Sequence, residues 1–192
     1  MTGCEDVITL LQRQHQEIRQ LFDEVEKADG DARRAAFHRL VRLLSVHETA
    51  EEELVHPKVR QQDGGQPVVE ARLDEEHRAK ELLSTMDGMG PDAEGFDTLL
   101  IKLRKDVLAH AKHEEHEEFP LLRKAHTPKR LDAMARTVRA AEAVAPTRPH
   151  PGLQGATAHV LLGPPVAIRP HARRHPQEAG PPLAAVSVPG DW

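Results

Sequence analysis

Hydrophobic residues recur along most of this chain at spacings of three and four, the period of an amphipathic helix. Ile8, Leu11, Ile18, Phe22 and Val25 form one stripe, with His15 in its middle. Phe37, Leu40, Leu44 and Leu54 form a second, interrupted by His47 and Glu51. A third, less regular stripe joins Val69, Leu73 and Leu83, with His77 at its edge. The fourth runs through Phe96, Leu100, Leu103, Val107 and Leu121 and carries His110 and Glu114. Breakers separate the stripes. A first helix is predicted from about Glu5 to Ala28, ended by Asp29-Gly30-Asp31. A second spans Ala32 to Gln61, with Pro57 in its last turns, before Asp63-Gly64-Gly65. A third opens near Pro67, a good first-turn residue, and closes at Gly88 to Gly90. A fourth runs from Asp92 to Glu118, stopped or kinked by Pro120, and a shorter fifth follows Thr127-Pro128 to about Val144. Short connections between long helices imply antiparallel neighbours. The fold class expected is all-α: an up-down-up-down four-helix bundle with an additional short C-terminal helix.

The pattern ends near Ala145. Residues 146–192 hold ten of the fifteen prolines, a density that forbids long helices. The chain therefore divides into a helical domain over residues 1–145 and a Pro/Gly-rich tail, expected to be mostly irregular. Thr157 to Leu162 is the one apolar patch of the tail suited to docking, and the basic run Arg169 to His175 is too short and proline-broken to make a nucleic-acid site. A formal net charge of −5 argues against a general nucleic-acid binder. No run of eighteen apolar residues suggests a membrane span, and the N-terminus turns polar too early for a secretory signal, so a cytoplasmic location is expected. Cys4 is the only cysteine, which excludes an intrachain disulfide and a cysteine-built zinc site.

The histidines change the picture most. A lone histidine on an apolar stripe is ordinarily a hydrogen-bonded core residue. A glutamate there is harder to dismiss, because an ionised carboxylate in an apolar core is costly unless paired or metal-bound. Two helices each place His-x-x-x-Glu on the stripe, His47 with Glu51 and His110 with Glu114. Residues four apart share a helix face. His15, His47, His77 and His110 also fall near the middle of their helices, which in an antiparallel bundle brings all four to one level. Four imidazoles and at least two carboxylates exceed the needs of a single tetrahedral zinc. They suit two ions of higher coordination number bridged by carboxylates. The mixed donors favour iron or manganese over calcium and leave copper and zinc open.

At this point four segments carry a resemblance. HQEIRQLF at His15, HETAEEELVHP at His47, EEHRAKELL from Glu75 to Leu83 and HAKHEEHEEFPLL at His110 resemble the four motifs of the hemerythrin-like HHE domain family, over about residues 5–125. The resemblance implies a four-helix bundle around a non-haem di-iron centre. By position it implies His15, His47, Glu51, His77, His110 and Glu114 as ligands, with Glu51 and Glu114 as bridges. Oxygen-carrying members use a His-x-x-x-His pair on the third helix, whereas the fourth residue after His77 here is Glu81. Their helix-four acid lies five residues after the histidine, where this chain has Glu115. Glu48, Glu81 and Glu115 are thus further candidate donors. A carboxylate in place of an imidazole stabilises the ferric state, which disfavours reversible oxygen carriage. The function expected is binding or sensing of oxygen, peroxide or nitric oxide. Peroxide detoxification and metal-dependent iron handling or interaction are the alternatives, and no nucleic-acid or membrane partner is expected. His56 reads as a helix-end residue. Glu52 and Glu53, and His113 and His116 amid Glu115, Glu117 and Glu118, read as solvated faces.

Overall fold

The structure, a computed structural model, describes residues 5–145 and 147–149. Among these residues the regular secondary structure is entirely helical. The elements are α1 (Val7–Lys27), α2 (Gly30–Ala50), a π-helical turn (Glu51–Val55), α3 (His56–Arg60), α4 (Gly65–Met89), α5 (Phe96–His113), a second π-helical turn (Glu114–Glu118), α6 (Phe119–Ala125) and α7 (Pro128–Glu142). Without a break, α2 runs through its π turn into α3, and α5 through its own into α6. The bundle therefore has four long bars, with α7 laid against α1 and α2. The all-α bundle with a short additional helix is what the stripes predict. The tail assignments beyond residue 149, with the Thr157–Leu162 patch and the Arg169–His175 run, lie outside the described residues, as does Cys4.

Local chemistry fixes the ends. The Asp6 carboxylate caps α1 by accepting from the Thr9 N–H at 2.8 Å. Gly64 and Gly95 take left-handed backbone ahead of α4 and α5, with φ of 76° and 85°, which favours glycine. Thr127 and Pro128 open α7.

The two π turns share one cause. Pro57 and Pro120 have no N–H to give back along the helix, and their rings crowd the carbonyl four residues earlier. The preceding turn widens instead. The His56 N–H donates to the Glu51 carbonyl and the Phe119 N–H to the Glu114 carbonyl, each five residues back. Each wide turn holds one extra residue, so the buried face beyond it shifts by one. Val55 and Leu122 are buried where the regular stripe puts Leu54 and Leu121, both only partly covered.

Two apolar clusters form the core. One joins Ile18, Phe22, Phe37, Leu40, Leu83, Phe96 and Leu103 near one end of the bars. The other joins Val7, Leu11, Val55, Val59, Val69, Phe119 and the inner face of α7. On every bar the buried polar residues fall between them: His15 on the first, His47, Glu48, Glu51 and His56 on the second, Arg72 and Glu76 on the third, His110, Glu114 and Glu118 on the fourth. A polar layer thus lies sandwiched between two apolar ones, the single level that the mid-helix histidines predict.

Candidate metal centre

Each bar contributes to this layer through its own periodicity. His15 takes the place between Leu11 and Ile18 on the inner face of α1. His47 and Glu51 follow Leu44 at three and seven residues, and His110 and Glu114 follow Val107 in the same way. On α4 the buried face runs Val69, Arg72, Glu76, Ala79, Leu83 and Met86.

Four side chains, His15, His47, Glu51 and Glu114, bring one ligand atom each within 4.8 Å of one another. Glu51, Glu76, His110 and Glu114 do the same beside them. Glu51 and Glu114 belong to both groups, which is the placement of bridging carboxylates. The Nε2 atoms of His15 and His47 lie 3.2 Å from Glu114 and Glu51 oxygens, and the Nε2 of His110 lies 3.3 Å from Glu114. Behind each ring an acceptor engages Nδ1: Glu115 at 2.8 Å from His15, the Gln14 amide oxygen at 2.9 Å from His47, and Glu75 at 3.0 Å from His110. Acceptors at Nδ1 hold its proton there and leave the Nε2 lone pair facing the cluster. The Gln14 amide in turn donates to Glu142 at 2.6 Å, tying the end of α7 to His47.

Several atoms of this layer are sealed from water with no hydrogen-bond partner: both oxygens of Glu51 and of Glu114, one of Glu76, one of Glu118, and the Nε2 of His15 and of His110. Orphaned buried polar atoms are costly one by one. Here they converge on one space, and all are nitrogen and oxygen donors. The residues present fit metal ions.

The charges show the same need. Burial and the Glu114 carboxylate push Glu51 well above the usual carboxylate range. Glu114 is also raised by burial, but His110 and His15 outweigh it and hold the group well below that range. Burial, with repulsion from His15, lowers His47 to about 3. His110 goes the other way: burial favours its neutral form, but Glu114, Glu75 and Glu76 outweigh it and raise its pKa well above the usual value. Two cations at this level would satisfy the carboxylates together.

Most of the expected site residues meet here, but His77 does not. It stands one residue beyond the inner face of α4, with a side chain 41 % exposed, 3.3 Å from the equally outward Glu81. Glu76 occupies the inward position instead. Of the three further candidates, Glu48 is buried beside Lys80 and burial raises its pKa to about 8, but it is outside both groups. Glu81 points away. Glu115 supports the His15 ring rather than facing the cluster, so Glu114 is the inward acid of the fourth bar.

The solvated readings need three corrections. His56 is 2 % exposed, with Nδ1 2.8 Å from Glu118 and Nε2 2.6 Å from Glu76. Glu118 is fully buried, and Glu52 is largely covered and paired with Lys80. The first π turn rotates His56 inward from the position a regular helix would give it, whereas Glu118 lies four residues after Glu114 on the same face. Proline at the same distance after Glu51 and Glu114 was the available signal.

Bundle and layer together define a class: a helical protein with a buried histidine–carboxylate cluster built to hold cations. Comparison with known proteins gives the family. The hemerythrin HHE cation binding domain matches residues 6–122, and the chain belongs to that family. A crystal structure of a hemerythrin HHE cation binding domain-containing protein from Mycobacterium kansasii has the same fold, with a TM-score of 0.64 and 19 % identity over 72 % of this chain and 85 % of that one. A DNA nickase of Nostoc sp. is 26 % identical over 141 residues, and the match spans 73 % of this chain but only 39 % of that protein.

Proposed function

We propose that this protein holds two non-haem iron ions in the polar layer and uses them to bind or sense oxygen, peroxide or nitric oxide. The observation that carries the reading is the convergence of unpartnered, buried nitrogen and oxygen atoms on two adjoining four-residue groups. His15 and His47 would hold one ion, His110 and Glu76 the other, with Glu51 and Glu114 shared. The iron would supply reversible one-electron chemistry and open coordination for a small ligand. The chain's own part is to orient the imidazoles through Gln14, Glu75 and Glu115. The apolar clusters on either side keep water from the layer. Manganese and zinc suit the same donors and are outcomes of metal analysis.

The test is the iron content of protein loaded anaerobically, with its near-ultraviolet charge-transfer absorption after oxidation. About two ions per chain are expected, since a preformed site fills. Fewer than about one would sink the reading. His47→Ala and Glu51→Ala should each abolish the absorption.

A second reading is peroxide consumption at the same centre, favoured by the carboxylate-rich group of Glu51, Glu76 and Glu114 with one histidine. Hard anionic donors favour the oxidised metal over reversible oxygen carriage. Oxygen evolution from hydrogen peroxide, lost in the same two variants, would establish it. The Nostoc relative's name is not a guide here, because most of that protein lies outside the match and this chain has a formal net charge of −5.

A further inference from the structure

The two motifs that supply the shared carboxylates have one frame. His47, Glu51 and Pro57 correspond to His110, Glu114 and Pro120, at spacings of four and six residues. Both frames enclose a π turn that begins at the glutamate. They differ nine residues after the histidine, where one has Phe119 and the other His56. Phe119 stacks on His15, ring centroids 5.9 Å apart and planes within 8°, and so covers the first group with carbon. His56 takes the matching place at the second group and presents a nitrogen.

The surroundings of His56 follow the rule of the other three histidines. Its Nδ1 rests on a buried carboxylate, Glu118, at 2.8 Å, as the Nδ1 of His15 rests on Glu115. Its Nε2 lies 2.6 Å from Glu76 Oε1, and the same oxygen lies 3.9 Å from the Nε2 of His110. Ligand atoms of His56, Glu114 and Glu118 come within 4.8 Å of one another. The remaining oxygens of Glu76 and Glu118 are sealed from water with no hydrogen-bond partner, the Glu76 oxygen lying 3.7 Å from Lys80 Nζ. His77 leaves this group with a single histidine.

We propose that His56 is the fourth histidine of the centre. Through Nε2 it binds the ion held by His110 and Glu76, and Glu118 holds its ring by accepting the Nδ1 proton. On loading, the ion takes the place of the proton between His56 Nε2 and Glu76, and that proton leaves to solvent. Glu118 is a positioning residue in this arrangement. The inference rests on the two-metal reading above.

The experiment is nitrogen-15 NMR of the histidine side chains in the full chain loaded with zinc, a diamagnetic probe, with zinc content measured on the same sample. Four rings, His15, His47, His56 and His110, are expected to carry their proton on Nδ1 and to show a metal-bound Nε2. His56→Phe copies the residue that the fourth bar already uses and fills the space. It should lower zinc from two ions per chain to one while the His15 and His47 signals persist, with the metal-free helix content unchanged. A two-zinc protein whose His56 Nε2 still carries a proton overturns the inference and leaves the metal reading standing. So does a His56→Phe variant that keeps both ions at unchanged affinity. A wild-type chain that takes up neither zinc nor iron sinks both. If His56→Phe fails to fold, the wild-type spectrum alone decides.

Discussion

The two halves of the polar layer are built from the same parts and differ in balance. Around His15 and His47 stand two histidines and the two shared carboxylates, under the ring of Phe119. Around His110 and Glu76 stand three carboxylates and one of the expected histidines, with His56 where the phenylalanine would be. The second half holds one more carboxylate, Glu76, and beside it the ammonium of Lys80 at 3.7 Å, which the first half lacks. A centre of two unlike positions follows from one substitution in a repeated frame together with the inward turn of Glu76 rather than His77.

The comparison breaks most completely at a residue that both halves share. Glu114→Ala should empty both positions, taking iron from about two ions per chain to well under one, as metal analysis of the purified variant would read. Protonation separates the halves next, in the metal-free protein. His47, lowered to about 3, contributes stability that is fully present above pH 6.5 and is lost as the pH falls towards 3. That loss amounts to about 1.4 kcal/mol for each pH unit below 6.5 while the folded ring stays neutral. His110 has the opposite sign. Its raised pKa gives stability present below 6.5 and lost as the pH rises through its folded value. Melting temperature against pH should therefore lose part of its acid decline in His47→Gln and part of its alkaline decline in His110→Gln. Identical profiles for the two variants would refute the asymmetry.

Smaller effects sharpen the same contrast. Gln14→Leu removes the acceptor behind His47 and the link to Glu142. Metal affinity of the first position should fall roughly tenfold with little change at the second, a magnitude usual for partners behind a ligand. Stepwise zinc titration would show whether one affinity or both have moved. The smallest effect belongs to His77→Ala, which should leave metal content unchanged, because that side chain faces outward beside Glu81.

Much of this was legible in the chain, and the residues that were not share physical causes. The apolar stripes carry His15, His47, Glu51, His110 and Glu114 on their core faces, and their regular period ahead of each glutamate makes the inward direction readable. On α4 the stripe is thin, and two neighbours, Glu76 and His77, compete for one inward place. The burial of Arg72, Glu76, Ala79 and Leu83 decides it for Glu76, but half of that face is polar and carries no hydrophobic signal. His56 was hidden for a different reason. A regular helix drawn from Glu51 turns it, five residues on, towards water, and only the widened turn brings it in. Glu118, four residues after Glu114, shares that residue's face and was masked by the run of charged neighbours around it. Helix ends shifted by a few residues, as at Gly30 and Phe96, without consequence for the layer.

The widened turns also bear on how relatives of this chain are to be lined up. A π turn is one residue more than its helix needs, so in an alignment it is an insertion within an otherwise matching helix. A homologue without it would show a single-residue gap between Glu51 and Val55 or between Glu114 and Glu118, and if that gap were left out every position beyond it would be paired with one that faces a different way. Columns paired by identity alone would then set an inward histidine against an outward one. Placing the gap by the proline that follows, rather than by the charged residues around it, keeps His56 with its true counterparts.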